Sequence, residues 1–160
     1  MSTRRLALRA CVVAAAAMAA PLPTPAWAAG TLSLPRPRSL ATELEWALGA
    51  RKALVVLVNL EGCPYCKLVR ESYLLPLRDS GQPVIQIELE RSIALADLRG
   101  RASTHAQIVD ALGIRFAPTV LFLGRAGAEA APRLAGIASP DFYGAYLQER
   151  VDSANRSVAG

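Results

Sequence analysis

Cys63 and Cys66 stand three residues apart in Cys63-Pro64-Tyr65-Cys66, directly after an apolar run and Gly62. Two thiols one helical turn apart share a face and are close enough to join as a disulfide. Pro64 suits the first position of a helix, which puts Cys63 at the helix N-terminus. Unpaired backbone N–H groups and the macrodipole favour an anion there, and a thiol of ordinary pKa near 8.5 can drop to about 3.5–7.5 in such a place. Lys67 adds a cation and Glu61 opposes it, leaving the net shift open. The chemistry on offer is thiol–disulfide exchange: Cys63 forms a mixed disulfide with substrate and Cys66 resolves it. Two other uses of the pair compete with that one. A structural disulfide would close a loop too short to remove much chain entropy. A soft Cu(I) site, as in a metallochaperone, suits thiolates, but further ligands are missing from the pattern. The single histidine, His105, reads as an exposed polar residue near a helix start.

Cysteine use depends on the N-terminus. Arg4, Arg5 and Arg9 form a basic segment, Ala10 to Ala20 an apolar run, and Ala26-Trp27-Ala28 offers small residues at the −3 and −1 positions. That layout predicts a secretory signal peptide over 1–28, cleaved after Ala28. The run is short against the roughly 20 residues that span a bilayer, and Pro21, Pro23 and Pro25 would break a continuing helix. Thr3 to Arg9 also resembles a twin-arginine signal, so the general secretory and twin-arginine routes both stay open. Cleavage removes Cys11 and leaves Cys63 and Cys66 as the only thiols of an exported, periplasmic protein. It also removes the charge asymmetry. The 160-residue chain has 18 Lys+Arg against 13 Asp+Glu, a formal +5. Without the three N-terminal arginines 15 basic residues remain, a formal +2, too little and too dispersed for a nucleic-acid face. With 52% hydrophobic and 19% charged residues, the chain is neither disordered nor a disulfide miniature, and its length suits one domain.

The elements that must position the thiols alternate between strand and helix. Residues 29–38, with Pro35 and Pro37, read as an extended arm. Ser39 caps a helix to about Ala50 that buries Leu40, Leu44, Ala47 and Leu48. Ala53 to Leu60 is a continuous run suited to a strand buried on both faces, and the Cys63 helix follows, with a kink or end near Pro76. Pro83 to Leu89 alternates as a second strand. The Arg-rich stretch 91–101 reads as an irregular insertion. Thr104 and Gln107 have capping-box spacing, and Gly113 stops that helix. Thr119 to Leu123 is a third strand, Gly124 to Gly127 a hairpin turn, and Pro132 to Ile137 an edge strand. Ser139-Pro140-Asp141 opens a last helix burying Phe142, Tyr146, Leu147 and Val151, and 153–160 read as a flexible tail. Trp46, Phe116, Phe122 and Tyr146 fall on apolar faces and read as core, Tyr73 as packing, and Glu61 as solvated.

The order strand, Cys-x-x-Cys helix, strand, helix, Ala117-Pro118-Thr119, two strands and helix resembles the thioredoxin fold, over about residues 40–151. The resemblance implies an α/β domain over 39–152, with a central mixed sheet of about four strands flanked by helices, and a cis Pro118 in a loop beside the Cys-x-x-Cys. Gly136 resembles a glycine common in that family. The Cys-Pro-Tyr-Cys tetrapeptide resembles glutaredoxins, but Ala117-Pro118-Thr119 is closer to thioredoxins than the glutaredoxin Thr-Val-Pro, which argues against glutathione. The group most similar is the periplasmic thioredoxin-like proteins, including the Sox-associated (sulfur-oxidation) thioredoxins. What this implies is a thiol–disulfide oxidoreductase with catalytic, redox-active Cys63 and Cys66. Substrate would pair with the backbone at Ala117, Pro118 and Thr119, with Pro64 and Tyr65 lining the groove. No cofactor and no metal would be required. Partners would be thiols or disulfides of exported proteins and a membrane electron-transfer protein, with no nucleic acid, and the chain would act as a monomer. Leu57 stands where cytosolic thioredoxins place a buried Asp, and Gly62 replaces the Trp of Trp-Cys-Gly-Pro-Cys; both point to a specialised partner. A thioredoxin-fold interaction domain without catalysis is the remaining alternative.

Overall fold

The computed structural model describes residues 33–137 and 139–160. The expected signal peptide, Cys11 and residues 29–32 of the expected arm lie outside the described residues. The elements run α1 (Leu40–Gly49), β1 (Leu54–Asn59), α2 (Pro64–Val69), a π-helical turn (Arg70–Leu74), α3 (Leu75–Asp79), β2 (Val84–Glu88), β3 (Ala94–Ala96), β4 (Ala102–Thr104), α4 (His105–Ala111), β5 (Thr119–Leu123), β6 (Glu129–Ala135) and α5 (Pro140–Ala159). The main sheet has the order β2-β1-β5-β6. β1 pairs parallel with β2 and antiparallel with β5, and β5 pairs antiparallel with β6. This is the mixed four-stranded thioredoxin-like α/β architecture that the element order predicts.

Successive side chains of a strand point to opposite faces, and β1 divides the core accordingly. Val55 and Leu57 pack with Val69, Leu74, Tyr143 and Leu147 under the Cys-x-x-Cys helix and α5. Leu54, Val56 and Val58 pack with Leu40, Leu44, Ile108 and Val109 under α1 and α4. With helices covering both faces, a continuous apolar run is what a central strand needs.

Several expectations are corrected. β2 is buried throughout, including Gln86 and Glu88, where alternation predicts a half-exposed strand. The reason is the segment before α1: Gln86 N–H donates to Pro35 C=O at 2.9 Å, and Arg36 meets Glu88 at 3.2 Å. The extended arm thus covers an otherwise open sheet edge. The stretch 91–101 is irregular only in part: it supplies β3, which pairs with β4 just beyond it, and a turn held by Asp97, whose carboxylate accepts from Arg99 and Arg101 N–H. Residues 153–160 are not a free tail: α5 continues to Ala159 and buries Ala154 and Val158. On α5 the buried aromatic is Tyr143, while Phe142 and Tyr146 face outward, as do Trp46 and Phe116; of the expected aromatic core only Phe122 is buried. Of the kink or end expected near Pro76, the helix shows no end, but it leaves α geometry just before the proline. Leu75 N–H reaches back five residues to Arg70 C=O, a π-type bond that widens the turn where the proline supplies no donor.

Candidate active site

Three residues, 60–62, separate the end of β1 from Cys63, and Gly62, at φ +78°, turns the chain between them. That left-handed conformation is inexpensive for glycine and strained for other residues. Cys63 is the N-cap of α2, and its Sγ accepts from Cys66 N–H at 3.3 Å. Pro64 occupies the first turn, where a missing N–H leaves nothing unsatisfied. Both thiols are free. Cys63 is half-buried and Cys66 fully buried. Burial above all pushes the Cys66 thiol up to about 12, with the hydrogen bond to Cys63 adding to the rise and the Arg70 guanidinium opposing it. The pair therefore consists of one reachable sulfur and one thiol held neutral in the interior.

The second segment arrives by sheet register. Thr119, the first residue of β5, pairs with Val58 near the end of β1, so the entry to β5 and the exit from β1 share one edge of the sheet. The Ala117–Pro118 peptide is cis. Pro118 is buried and its C=O accepts from Gly136 N–H at 2.8 Å. Thr119 is buried as well, its Oγ1 donating to Phe116 C=O. Ala117 is half-buried, and among the described residues its backbone has no hydrogen-bond partner. Pro64 and Tyr65 are exposed beside Cys63. Lys67 is exposed, and Glu61 is an exposed carboxylate ion-paired with Arg91.

Sequence reasoning missed the polar group behind the thiols. Asn59 and Glu88 are paired residues of β1 and β2, and Asn59 Nδ2 donates to Glu88 at 2.6 Å. Gln86 Nε2 donates to the same carboxylate at 2.8 Å, and Arg70, one turn beyond Cys66, donates to Asn59 Oδ1 at 3.2 Å. Polar residues interrupting apolar strands at matched positions were the signal. His105 is corrected outright: it is fully buried, and its Nδ1 accepts from Glu88 N–H at 3.0 Å. The neutral ring therefore carries its proton on Nε2. Burial lowers its pKa; the Glu88 carboxylate opposes the shift and Arg36 adds to it. Leu57, in the position that drew notice for lacking a carboxylate, is buried among apolar neighbours. Among the described residues no three His, Cys, Asp or Glu side chains cluster as a metal site, and no helix is long and apolar enough to cross a membrane.

Comparison with known proteins adds the following. The thioredoxin-like domain family matches residues 40–150. No curated protein matches the chain. Among solved structures, a thioredoxin-fold protein from Helicobacter pylori aligns at 15% identity and a TM-score of 0.51, covering 67% of this chain and 73% of that one. The periplasmic thioredoxin SoxS from Paracoccus pantotrophus, in its reduced form, aligns at 19% identity and a TM-score of 0.42, covering 64% of this chain and 99% of that one. At these identities the first likeness speaks for the fold alone, and the second score is too low to carry an argument.

Proposed function

The chain belongs to the thioredoxin-like domain family, and from that premise we propose that it is an exported oxidoreductase exchanging thiols and disulfides of partner proteins through Cys63 and Cys66. The observation that carries this reading is the asymmetry of the pair: a reachable Cys63 Sγ at a helix start, and a buried Cys66 one turn on, hydrogen-bonded to it through its N–H. In the reducing direction the Cys63 thiolate attacks one sulfur of a substrate disulfide, and the other sulfur leaves as a thiolate that takes a proton. Cys66 then loses its proton and attacks Cys63 Sγ; the second substrate thiol departs and the Cys63–Cys66 disulfide remains. Two electrons pass from the protein dithiol to the substrate, and the oxidising direction is the reverse. The unpaired backbone at Ala117 is suited to an extended substrate strand, and the exposed Tyr65 to lining the groove such a strand would occupy.

Export rests on the basic segment, the apolar run and Ala26-Trp27-Ala28, read as a signal peptide over 1–28. The Sox-associated grouping and a membrane electron donor belong to the same reading. The test is a Cys66→Ser variant incubated with exported proteins. With nothing to resolve them, mixed disulfides through Cys63 should accumulate, and mass spectrometry should identify the partners. A variant that traps nothing, while wild type shows no insulin reduction or thiol oxidation, overturns the proposal.

A further inference from the structure

A cavity of about 460 Å³ opens beside Cys63, a size suited to a small ligand or one residue of a larger one. Three cations line it, Arg36, Lys67 and Arg70, against one carboxylate, Glu61. That carboxylate is already ion-paired with Arg91. Arg36 is engaged by Glu88, and Arg70 by Asn59 and, more loosely at 3.7 Å, by Glu71. Lys67 has no carboxylate partner among the described residues. Of the lining donors, Arg70 Nε is buried without a hydrogen-bond partner, whereas the unpartnered Gln86 Oε1 is an acceptor and offers an anion nothing. Gln86 Nε2 is spent on Glu88, which fixes the orientation of that amide. A concave surface with surplus positive charge concentrates field and draws anions.

We infer that this cavity is a subsite for a carboxylate carried close to the reacting sulfur, so that acidic disulfides are the preferred substrates. The inference rests on the exchange reading and adds its substrate class. When Cys63 attacks, the substrate's carboxylate lies over Lys67 and the Arg70 guanidinium, which holds the departing half of the molecule in place while Cys63–S–S–R forms and R–S⁻ leaves. The same chemistry fits a small acidic disulfide or an acidic residue flanking a partner protein's cysteine.

The test uses three small disulfides differing in charge: 3,3′-dithiodipropionate, 2-hydroxyethyl disulfide and cystamine. Each rate with the reduced protein is divided by the rate of the same disulfide with dithiothreitol, which removes intrinsic reactivity. The normalised rates should fall from dianion to neutral to dication by about tenfold overall at low ionic strength, and the spread should shrink toward 1 M salt. Lys67→Gln should narrow that spread. A parallel pair of cysteine-peptide disulfides, with Glu or Gln beside the cysteine, separates the sources: a preference confined to the peptides assigns the subsite to a partner's acidic residue, and one confined to the small series to a free acid. Equal normalised rates in both series, or a spread indifferent to Lys67→Gln and to salt, overturn the subsite while leaving exchange intact. If no disulfide reacts, the exchange reading falls and the subsite with it.

Discussion

The two ends of β1 each carry a small polar knot, and the two are built differently. At the start of the strand, Ala53 N–H donates to Asn155 Oδ1, Gln82 Nε2 donates to Ala53 C=O, and Asn155 Nδ2 donates to Gln82 Oε1, all between 2.7 and 2.9 Å. That ring is closed, and it ties α5 to the sheet. At the other end Asn59, Gln86, Glu88, Arg70 and His105 are also linked, yet Gln86 Oε1, Arg70 Nε and His105 Nε2 are buried without partners. Buried polar groups are normally satisfied, because an orphan costs about 1–3 kcal/mol. The open network lies beside a half-exposed thiol and a cationic cavity, where the proposed chemistry would take place. The closed one is given over to holding the fold.

Substitutions should separate the two ends. The largest effect is on activity at the open end: Cys63→Ser should lower disulfide exchange by at least about a thousandfold while leaving the urea midpoint nearly in place, since the side chain is half-exposed. Next comes the closed end. Asn155→Ala deprives Ala53 N–H and Gln82 of partners and should lower stability by about 1–3 kcal/mol in urea unfolding, with Cys63 alkylation unchanged; slowed alkylation would mean that the ends are coupled. Glu88→Gln keeps the shape but removes the charge shared by Asn59, Gln86 and Arg36. Because Arg36 is largely exposed, the stability loss should be nearer 1 kcal/mol, accompanied by a stronger preference for anionic disulfides. The smallest effect is pH-dependent. Burial lowers the His105 pKa below its ordinary 6.5, so the unfolded chain binds that proton more readily. The stabilisation is complete above pH 6.5 and is lost as pH falls through the lowered folded value. Urea midpoints at pH 7.5 and 5 should differ less in His105→Gln than in wild type.

The apolar framework was far more legible in the sequence than either polar knot: Asn155, which closes the first one, lies in the stretch 153–160 expected to be a flexible tail. Continuous apolar strands, the Ser39 and Thr104 caps and the proline at the start of α5 follow from local rules, and each element formed. Cys63, Cys66 and Pro118 stood out by type and spacing. Gln86, Glu88 and His105 did not, because their burial depends on the arm covering β2 and on α4 packing beside it, contacts between residues 17 to 52 positions apart. The outward aromatics misled for the related reason that helical periodicity marks a face without saying what covers it; one position decides between Phe142 and Tyr143. The π turn at Arg70 left no local signal beyond Pro76.

The central claim is the division of labour between the two thiols, and site-resolved alkylation tests it most directly. Reduced protein is pulsed with iodoacetamide from pH 6 to 10, and the label on each cysteine is read by peptide mass spectrometry. The Cys66 thiol, buried and pushed up to about 12, should stay unlabelled across that range in the folded protein, while Cys63 is modified throughout and both react once the chain is unfolded in urea. Equal labelling of the two cysteines in the folded protein, or labelling of Cys66 first, would contradict the account.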